Sequence, residues 1–200
     1  MLMTRKPLIL ASGSPRRRAF LNELGLTFTV RTAEIDESVN HLESPEALVE
    51  RLACEKAITV MKRFPASWVV AADTVVCLGE TIFGKPADEA EAEKMMANLS
   101  GKTHTVWTGV CLGCHQEKTR ESVIVQTGVR FIDLSPEMIR SYVATGEPLD
   151  KAGGYGIQGK GAWLVAEISG SYTNVVGLPL SQTVSLLLKY DIINPSLSSL

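Results

Sequence analysis

Residues 68–80 read WVVAADTVVCLGE, the most strand-like stretch of the chain. Apolar residues, many of them β-branched, fill this run without alternation, which is typical of a strand buried on both faces of a sheet. One carboxylate, that of Asp73, interrupts it. A buried carboxylate is unfavourable unless it is paired or binds a metal, and strand-end carboxylates of α/β sheets commonly face the ligand crevice. Asp73 is therefore either a functional acid or a structural residue that caps a turn.

Strand and helix patterns alternate along the chain and strands then cluster, which predicts a mixed α/β sheet with helices packed on it. Four of the predicted helices begin after residues that favour the N-cap position, and a proline follows three of these residues. The polar motifs lie at the ends of elements, which predicts a cleft between two lobes. Strands are predicted at 7–11, 27–32, 68–80, 103–112, 122–131 and 163–168, helices after Ser14, Ser44, Asp88, Ser135 and Pro179, and a frayed end from Asn194 onward.

Composition limits the classes of protein to which the chain can belong. The 200 residues are 45% apolar and carry a net charge of -2, so we expect one domain, 1–200, without a general nucleic-acid footprint. The apolar start is too short for a secretory signal, and no apolar run approaches the roughly 20 residues that span a bilayer. We therefore expect a cytoplasmic protein that binds neither nucleic acid nor membrane.

A C-x-x-C pattern occurs once, at Cys111 and Cys114. A zinc site needs a second pair of ligands at similar spacing, and the sequence has no such pair. No metal or redox role is therefore predicted for this pattern. Four cysteines are also too few for a disulfide framework. His104 is interpreted as an ordinary residue.

The stretch SGSPRRR, residues 12–18, follows a predicted strand and begins a predicted helix. Backbone N–H groups and the dipole at a helix N-terminus attract anions, and Ser12 and Ser14 add hydroxyl donors. Arginine in a first helical turn opposes the dipole, but arginine binds phosphate oxygens through paired hydrogen bonds. The stretch is therefore either a phosphate-binding turn or the start of a surface helix with three solvated arginines.

Two lysines and an acidic loop are further candidates. Lys56 lies on the apolar stripe of its predicted helix, so its ammonium group either extends to the helix edge or reaches into a cleft. Lys85, in the loop FGKPAD, is unremarkable by itself. Glu37 belongs to the acidic loop EIDES, which either holds Mg²⁺ together with phosphate oxygens or is simply solvated.

Gln158 lies in the glycine-rich segment GGYGIQGKG, residues 153–161. An amide beside backbone that permits close approach suits recognition of a nucleobase edge, and the alternative is a simple glycine-rich turn. Together the candidates fit nucleotide phosphate chemistry better than acyl transfer, because no serine has a plausible His–Asp relay. The G-x-x-x-x-G-K-[ST] pattern of a Walker loop is also missing from the sequence.

In this order, the motifs resemble those of the Maf family of nucleoside triphosphate pyrophosphatases. The resemblance extends over residues 7–190, and the ordered set is specific although each piece alone is weak. Its segments are LASGSPRRR, EIDES, RLACEKA, AADTVV, GKP, LSGKTHTVWTGV, YVATGEPLDKAGGYGIQG and VVGLPL. Three features look like those of the branch that hydrolyses dTTP and UTP. The arginine pair is not preceded by the bulky aromatic residue that the other bacterial branch inserts there, and the segments AADT and GIQG match as well.

The resemblance implies roles for individual residues. Asp73 would be the proton acceptor, and Glu37 and Asp73 would contact a divalent metal cation, Mg²⁺ or Mn²⁺. Arg16, Thr74 and Gln158 would choose the base. The triphosphate would be held by Ser12, Arg16, Arg17, Lys56 and Lys85.

The resemblance also implies a reaction and an architecture. A hydrolase acting in nucleotide housecleaning would convert dTTP, UTP and related or modified pyrimidine nucleotides to nucleoside monophosphate and pyrophosphate. The fold would be a twisted mixed sheet with flanking helices and a deep cleft between two lobes, similar to that of inosine triphosphatases, in a homodimer. Two alternatives stay open: a pyrophosphatase of different base specificity, and a non-catalytic nucleotide-binding regulator of septum formation.

Overall fold

A computed structural model describes residues 2–40 and 42–195. The strands are β1 (Leu2–Thr4), β2 (Leu8–Leu10), β3 (Thr29–Val30), β4 (Trp68–Leu78), β5 (Thr81–Phe83), β6 (Thr103–Cys114), β7 (Thr119–Phe131), β8 (Val165–Ser169) and β9 (Ile193–Pro195). The α-helices are α1 (Pro15–Glu23), α2 (Pro45–Arg63), α3 (Glu89–Leu99), α4 (Pro136–Val143), α5 (Tyr172–Val176) and α6 (Leu180–Lys189), and 3₁₀ segments occupy Glu147–Asp150, Ala152–Gly154 and Gly159–Leu164. Among the described residues, none of the helices combines the length and apolar character needed to cross a membrane.

Within the described residues, a seven-stranded sheet forms the centre of the fold. Its strand order is β3-β2-β4-β6-β7-β8, and β5 pairs with β4. β2 runs parallel to β3 and to β4, whereas β5 and β8 run antiparallel to β4 and β7. β1 and β9 pair separately in an antiparallel ribbon. The predicted class, a mixed α/β sheet with flanking helices, is confirmed.

The helix starts agree with the sequence prediction. Each predicted N-cap side chain accepts a hydrogen bond from the backbone N–H three residues later, which satisfies one of the donors that a helix start leaves without an intrahelical partner. These N-cap residues are Ser14, Ser44, Asp88 and Ser135.

Two predicted features differ from the structure. The strand predicted over 27–32 is reduced to the two residues of β3. The frayed end predicted from Asn194 is wrong for Asn194 and Pro195, because pairing of β9 with β1 orders both residues. Residues 196–200 lie outside the described residues.

The chain divides into two compact units. Unit 1 comprises Met1–Asp73, Thr108–Ile124 and Gly177–Leu200, and unit 2 comprises Thr74–Trp107 and Val125–Val176. The expectation of a single domain over 1–200 stays a prediction.

Helix α2 forms one side of the core of unit 1. Its small residues Ala53 and Ala57 are fully buried in one apolar cluster with Val69 of β4. The helix also lies very close to β6, since a Cβ added to Gly109 would be 2.3 Å from the carbonyl oxygen of Val49. Glycine is therefore required at this position, and it sets the distance between α2 and the sheet.

The core of unit 2 contains a neutral histidine. His104 on β6 is 2% exposed, and its Nε2 lies 2.8 Å from the hydroxyl of Tyr155. Its ring stands edge-on to the rings of Tyr155 and Phe131. Burial lowers the pKa of His104 to about 4, so the imidazole carries no charge at neutral pH. The residue therefore packs as an uncharged aromatic group.

We expect His104 to make unit 2 sensitive to acid. The unfolded chain protonates this imidazole near its ordinary pKa, so the folded state should lose up to about 3 kcal/mol as the pH falls from about 6.5 to about 4. His104→Gln keeps a polar partner for Tyr155 and removes this titration. Urea unfolding at several pH values should give a shallower acid loss for the variant. The exposed His115 provides the control, since His115→Gln should leave the slope unchanged; equal slopes for all three proteins would contradict the assignment.

Candidate functional site

The turn between β2 and α1 forms as the sequence predicts. Ser14 caps the helix, and its Oγ accepts a hydrogen bond from the N–H of Arg17 at 3.4 Å. Ser12 is 8% exposed, and its hydroxyl oxygen accepts from the N–H of Ser14 at 3.3 Å and from Nη1 of Arg17 at 3.1 Å. With both lone pairs engaged, Ser12 acts toward a ligand as a hydrogen-bond donor.

Arg17 joins three separate segments of unit 1. Its Nε donates to the carbonyl oxygen of Gly177 at 2.7 Å, and its Nη1 donates to the carbonyl oxygen of Ala72 at 2.8 Å as well as to Ser12. Burial lowers the pKa of the Arg17 guanidinium, and the nearby carboxylate of Asp73 acts in the opposite direction. The group stays protonated, because arginine does not lose its proton in proteins. Arg17 is therefore a fixed positive charge at the carboxyl end of β2.

A lysine pairs with two carboxylates in the same unit. The Nζ of Lys56 on α2 lies 2.5 Å from Oδ1 of Asp73 on β4 and 2.7 Å from Oε1 of Glu37 in the loop after β3. Lys56 and Asp73 are each 9% exposed, whereas Glu37 is largely exposed. The alternative in which Lys56 extends to the helix edge is therefore wrong.

This pairing explains how an apolar strand accommodates a carboxylate. Removing an isolated charge from water is unfavourable by several kcal/mol, and a close partner of opposite charge offsets much of that penalty. Lys56 is this partner for Asp73. The contribution of Glu37 to stability is smaller, because water screens an exposed carboxylate.

Glu37 and Asp73 direct their carboxylates at one cationic atom. Mg²⁺ typically takes one or two carboxylates from a protein and completes its shell with water and phosphate oxygens. Two convergent carboxylates therefore fit such an ion. In the part of the chain that the structure describes, no cluster of three or more His, Cys, Asp or Glu side chains is placed to hold a metal.

Three of the predicted site residues belong to unit 2. Thr74 is half-buried on β4, Lys85 is exposed in the loop after β5, and Gln158 is exposed at the start of a 3₁₀ segment. The carbonyl oxygen of Gly84 accepts a hydrogen bond from the N–H of Gly153 at 2.9 Å. The loop that carries Lys85 is thereby bonded to the glycine-rich segment that carries Gln158.

Glu147 organises this glycine-rich segment and was missed in the sequence analysis. Its Oε2 accepts from the N–H of Lys160 at 3.0 Å, and its Oε1 accepts from the N–H of Gly161 at 3.2 Å and the hydroxyl of Tyr142 at 3.1 Å. The first N–H groups of a helical segment have no acceptor within it, so those of Lys160 and Gly161 need acceptors from elsewhere. A carboxylate a few residues before a run of glycines is the local signal that could have identified Glu147.

The structure thus brings one set of predicted site residues together, in unit 1. In unit 1, Arg17 interacts electrostatically with Asp73, Glu37 and Arg16, so the arginine turn and the Lys56 pair lie close to one another. Arg18 is exposed on α1, and the structure gives it no role in this cluster. This set is Ser12, Arg16, Arg17, Glu37, Lys56 and Asp73, whereas the other three predicted residues, Thr74, Lys85 and Gln158, belong to unit 2.

Comparison with known proteins gives matches over most of the chain. The family model described as Maf-like protein matches residues 7–190. A dTTP/UTP pyrophosphatase of Desulfotalea psychrophila is 54% identical over 94% of this chain and 97% of that protein. Proteins of the same name from Myxococcus xanthus and Acinetobacter baylyi are 53% and 46% identical, over 90% and 92% of this chain and 90% and 100% of their own lengths.

Among solved structures, the chain is similar to the Staphylococcus aureus Ham1 protein. The two are 12% identical, with a TM-score of 0.45, over 64% of this chain and 73% of that one.

We expect a double-mutant cycle to show that Lys56 and Asp73 stabilise the fold as a pair. Lys56→Met alone should cost about 3 kcal/mol, because it leaves a buried carboxylate without its cation. Adding Asp73→Asn should recover part of this loss, with a coupling energy of at least about 1.5 kcal/mol in urea unfolding. The exposed pair Arg140–Glu137 is the control and should show no measurable coupling. Strict additivity at Lys56 and Asp73 would mean that the pair does not form.

Proposed function

The chain belongs to the Maf-like protein family, and on this premise we propose that it hydrolyses dTTP and UTP to the nucleoside monophosphate and pyrophosphate. The names of relatives that share about half of its residues support this reaction. The observation that carries the proposal is the buried Lys56–Asp73 pair beside the fixed guanidinium of Arg17. A carboxylate that can accept a proton and two cations that can bind phosphate oxygens, all in one cluster, suit the attack of water on a phosphate ester.

Asp73 is the proton acceptor in the proposed reaction. It takes a proton from a water molecule as the water oxygen attacks the α-phosphorus in line with the bond to the β-phosphate. The new P–O bond forms, the bond to the bridging oxygen breaks, and pyrophosphate leaves. Such a reaction needs positioning and charge neutralisation more than covalent catalysis.

Positive charge and hydroxyl donors hold the triphosphate. Arg17 is already oriented by backbone carbonyls, so little rearrangement is needed when a phosphate binds. Lys56 has three N–H donors, and two of them are directed at carboxylates, which leaves one direction for a phosphate oxygen. The proposed phosphate ligands are Ser12, Arg16, Arg17, Lys56 and Lys85.

Glu37 and Asp73 would hold Mg²⁺ or Mn²⁺, which when bound neutralises charge on the leaving pyrophosphate and acidifies the attacking water. The convergence of both carboxylates on one ammonium group supports this assignment. Asp73 then has two tasks, since it would hold the metal and accept the proton of the attacking water.

Base choice is assigned to Arg16, Thr74 and Gln158. An amide side chain offers a donor and an acceptor, which is the pattern that the N3–H and O4 groups of thymine and uracil require. The hydrogen bonds that the N–H groups of Lys160 and Gly161 donate to Glu147 support this role, because they hold the segment that presents Gln158.

We further propose that residues 1–200 act as one functional domain in the cytoplasm, as a homodimer, in housecleaning of the nucleotide pool. The net charge of -2 and the family membership support a small anionic substrate rather than a nucleic acid.

A panel of nucleoside triphosphates, assayed with added Mg²⁺ or Mn²⁺, tests the reaction. We expect pyrophosphate and monophosphate, fastest from dTTP and UTP. Orthophosphate and diphosphate would indicate attack at the γ-phosphorus and refute the mechanism. A different preferred base would change the specificity only, and binding without turnover would favour the regulator of septum formation.

Asp73→Asn should separate chemistry from binding. The amide preserves the shape of the side chain and an acceptor for Lys56 but cannot take the proton, so kcat should fall by about 100-fold or more. The Kd for dTTP, measured by calorimetry, should change by only a few-fold. A variant that turns over near the wild-type rate would show that another group is the base.

Gln158→Ala should weaken base choice more than it slows dTTP hydrolysis. Loss of one or two neutral hydrogen bonds predicts about a tenfold fall in the ratio of kcat/KM for dTTP to that for dCTP. Lys160→Ala, in the same exposed segment, is the matched control and should leave the ratio unchanged. Equal ratios in the wild type and Gln158→Ala would remove Gln158 from base recognition.

A further inference from the structure

Two cysteine thiols of unit 1 lie outside the candidate site and are close to each other. Cys54 on α2 and Cys111 on β6 are free thiols that pack in one apolar cluster, where each shifts the pKa of the other. Cys111 is fully buried, whereas Cys54 is half-buried against the same apolar cluster. The proposed mechanism uses neither.

The close contact between α2 and β6 continues along both elements. A Cβ at Gly109 would lie 2.3 Å from the carbonyl oxygen of Val49, and a Cβ at Gly113 would lie 3.0 Å from the sulfur of Met61. Both residue numbers increase from the first contact to the second. The helix and the strand therefore run alongside each other in the same direction.

This geometry places the two thiols opposite each other. From the contact between Gly109 and Val49, two residues along a strand and four to five residues along a helix each advance about 7 Å. These steps lead to Cys111 on the strand and to Cys54 on the helix. The proximity of the two thiols is thus a consequence of the packing of α2 against β6.

The two cysteines of the C-x-x-C pattern do not pair with each other. Cys111 and Cys114 are three residues apart on one strand, so their side chains point to opposite faces of the sheet. The thiol of Cys114 instead donates to the carbonyl oxygen of Pro65 at 3.4 Å. The partner of Cys111 is therefore Cys54, which no spacing in the sequence indicates.

The surroundings make the two thiols chemically unequal. The hydrogen bond from Cys111 lowers the pKa of Cys54, burial opposes this, and the positive charge of Arg120 favours it. The hydrogen bond to Cys54 and burial raise the pKa of Cys111. Because the thiolate is the nucleophile, Cys54 is the thiol that meets an oxidant first.

We propose that Cys54 and Cys111 form a reversible disulfide when hydrogen peroxide oxidises the protein. The Cys54 thiolate attacks a peroxide oxygen, the O–O bond breaks, and a sulfenic acid forms as hydroxide leaves. The Cys111 thiol then attacks the Cys54 sulfur, the S–S bond forms, and the S–O bond breaks with release of water. In total, two thiols lose two electrons and two protons, and the peroxide becomes two water molecules.

The disulfide would act on the candidate site through α2. Bonded sulfur atoms lie about 2 Å apart, closer than hydrogen-bonded thiols, so the bond draws α2 toward β6. Lys56, two residues after Cys54, then shifts relative to Asp73. This consequence rests on the proposed function, and we expect a several-fold loss of pyrophosphatase activity that dithiothreitol reverses.

Mass spectrometry of the full-length protein tests the disulfide independently of activity. The reduced protein is treated with hydrogen peroxide, blocked with N-ethylmaleimide and digested. We expect a peptide pair cross-linked through Cys54 and Cys111 that disappears after dithiothreitol. A wild-type protein in which both residues stay alkylated, or in which Cys77 or Cys114 is oxidised first, would overturn the proposal.

Variants identify the order of the steps. Cys111→Ser should leave a sulfenic acid on Cys54 that dimedone traps, and Cys54→Ser should remove both the adduct and the cross-link. Cys77→Ser and Cys114→Ser are the controls and should retain the cross-link. A cross-link that forms without any change in pyrophosphatase activity would refute the coupling to Lys56. A reduced protein that never releases pyrophosphate would refute the proposed function, but it would leave the disulfide proposal standing.

Discussion

The buried carboxylate of Asp73 is the constraint on which the rest of the candidate site depends. Most of its neighbours in β4 are apolar and buried, so an uncompensated charge at this point would strongly destabilise the fold. Lys56 provides the compensating charge from α2, so the pair joins this helix to β4. Glu37 joins the same ammonium group, which holds the otherwise irregular loop after β3 next to β4.

Arg17 adds a second fixed charge beside the middle of β4. Its bonds to the carbonyl groups of Ala72 and Gly177 are made when the chain folds, so its orientation does not have to be established by a ligand. Charges that are oriented in advance stabilise a developing negative charge better than mobile surface charges do. The apolar cluster around α2 stabilises this part of the fold, because its buried contacts offset the unfavourable burial of the charged side chains.

Helix α2 connects the ion pair with the thiol pair. The helix lies close to the sheet because Ala53 and Ala57 are small and Gly109 on β6 has no side chain. That closeness holds Lys56 against Asp73 and also holds Cys54 near its partner thiol. One feature of backbone packing therefore has two chemical consequences, and a shift of the helix would change both.

The sequence by itself determined the helix starts, because an N-cap side chain and its donor are only three residues apart. It also identified Asp73 and Lys56 as polar residues in apolar surroundings. Only the tertiary structure decided that these two residues pair, that Arg17 bonds to the loop between α5 and α6, that β1 pairs with β9, and that Cys111 faces Cys54. The first two of these contacts join residues 17 and 160 positions apart. Such contacts depend on which distant elements pack together, and no local pattern of side chains encodes that choice.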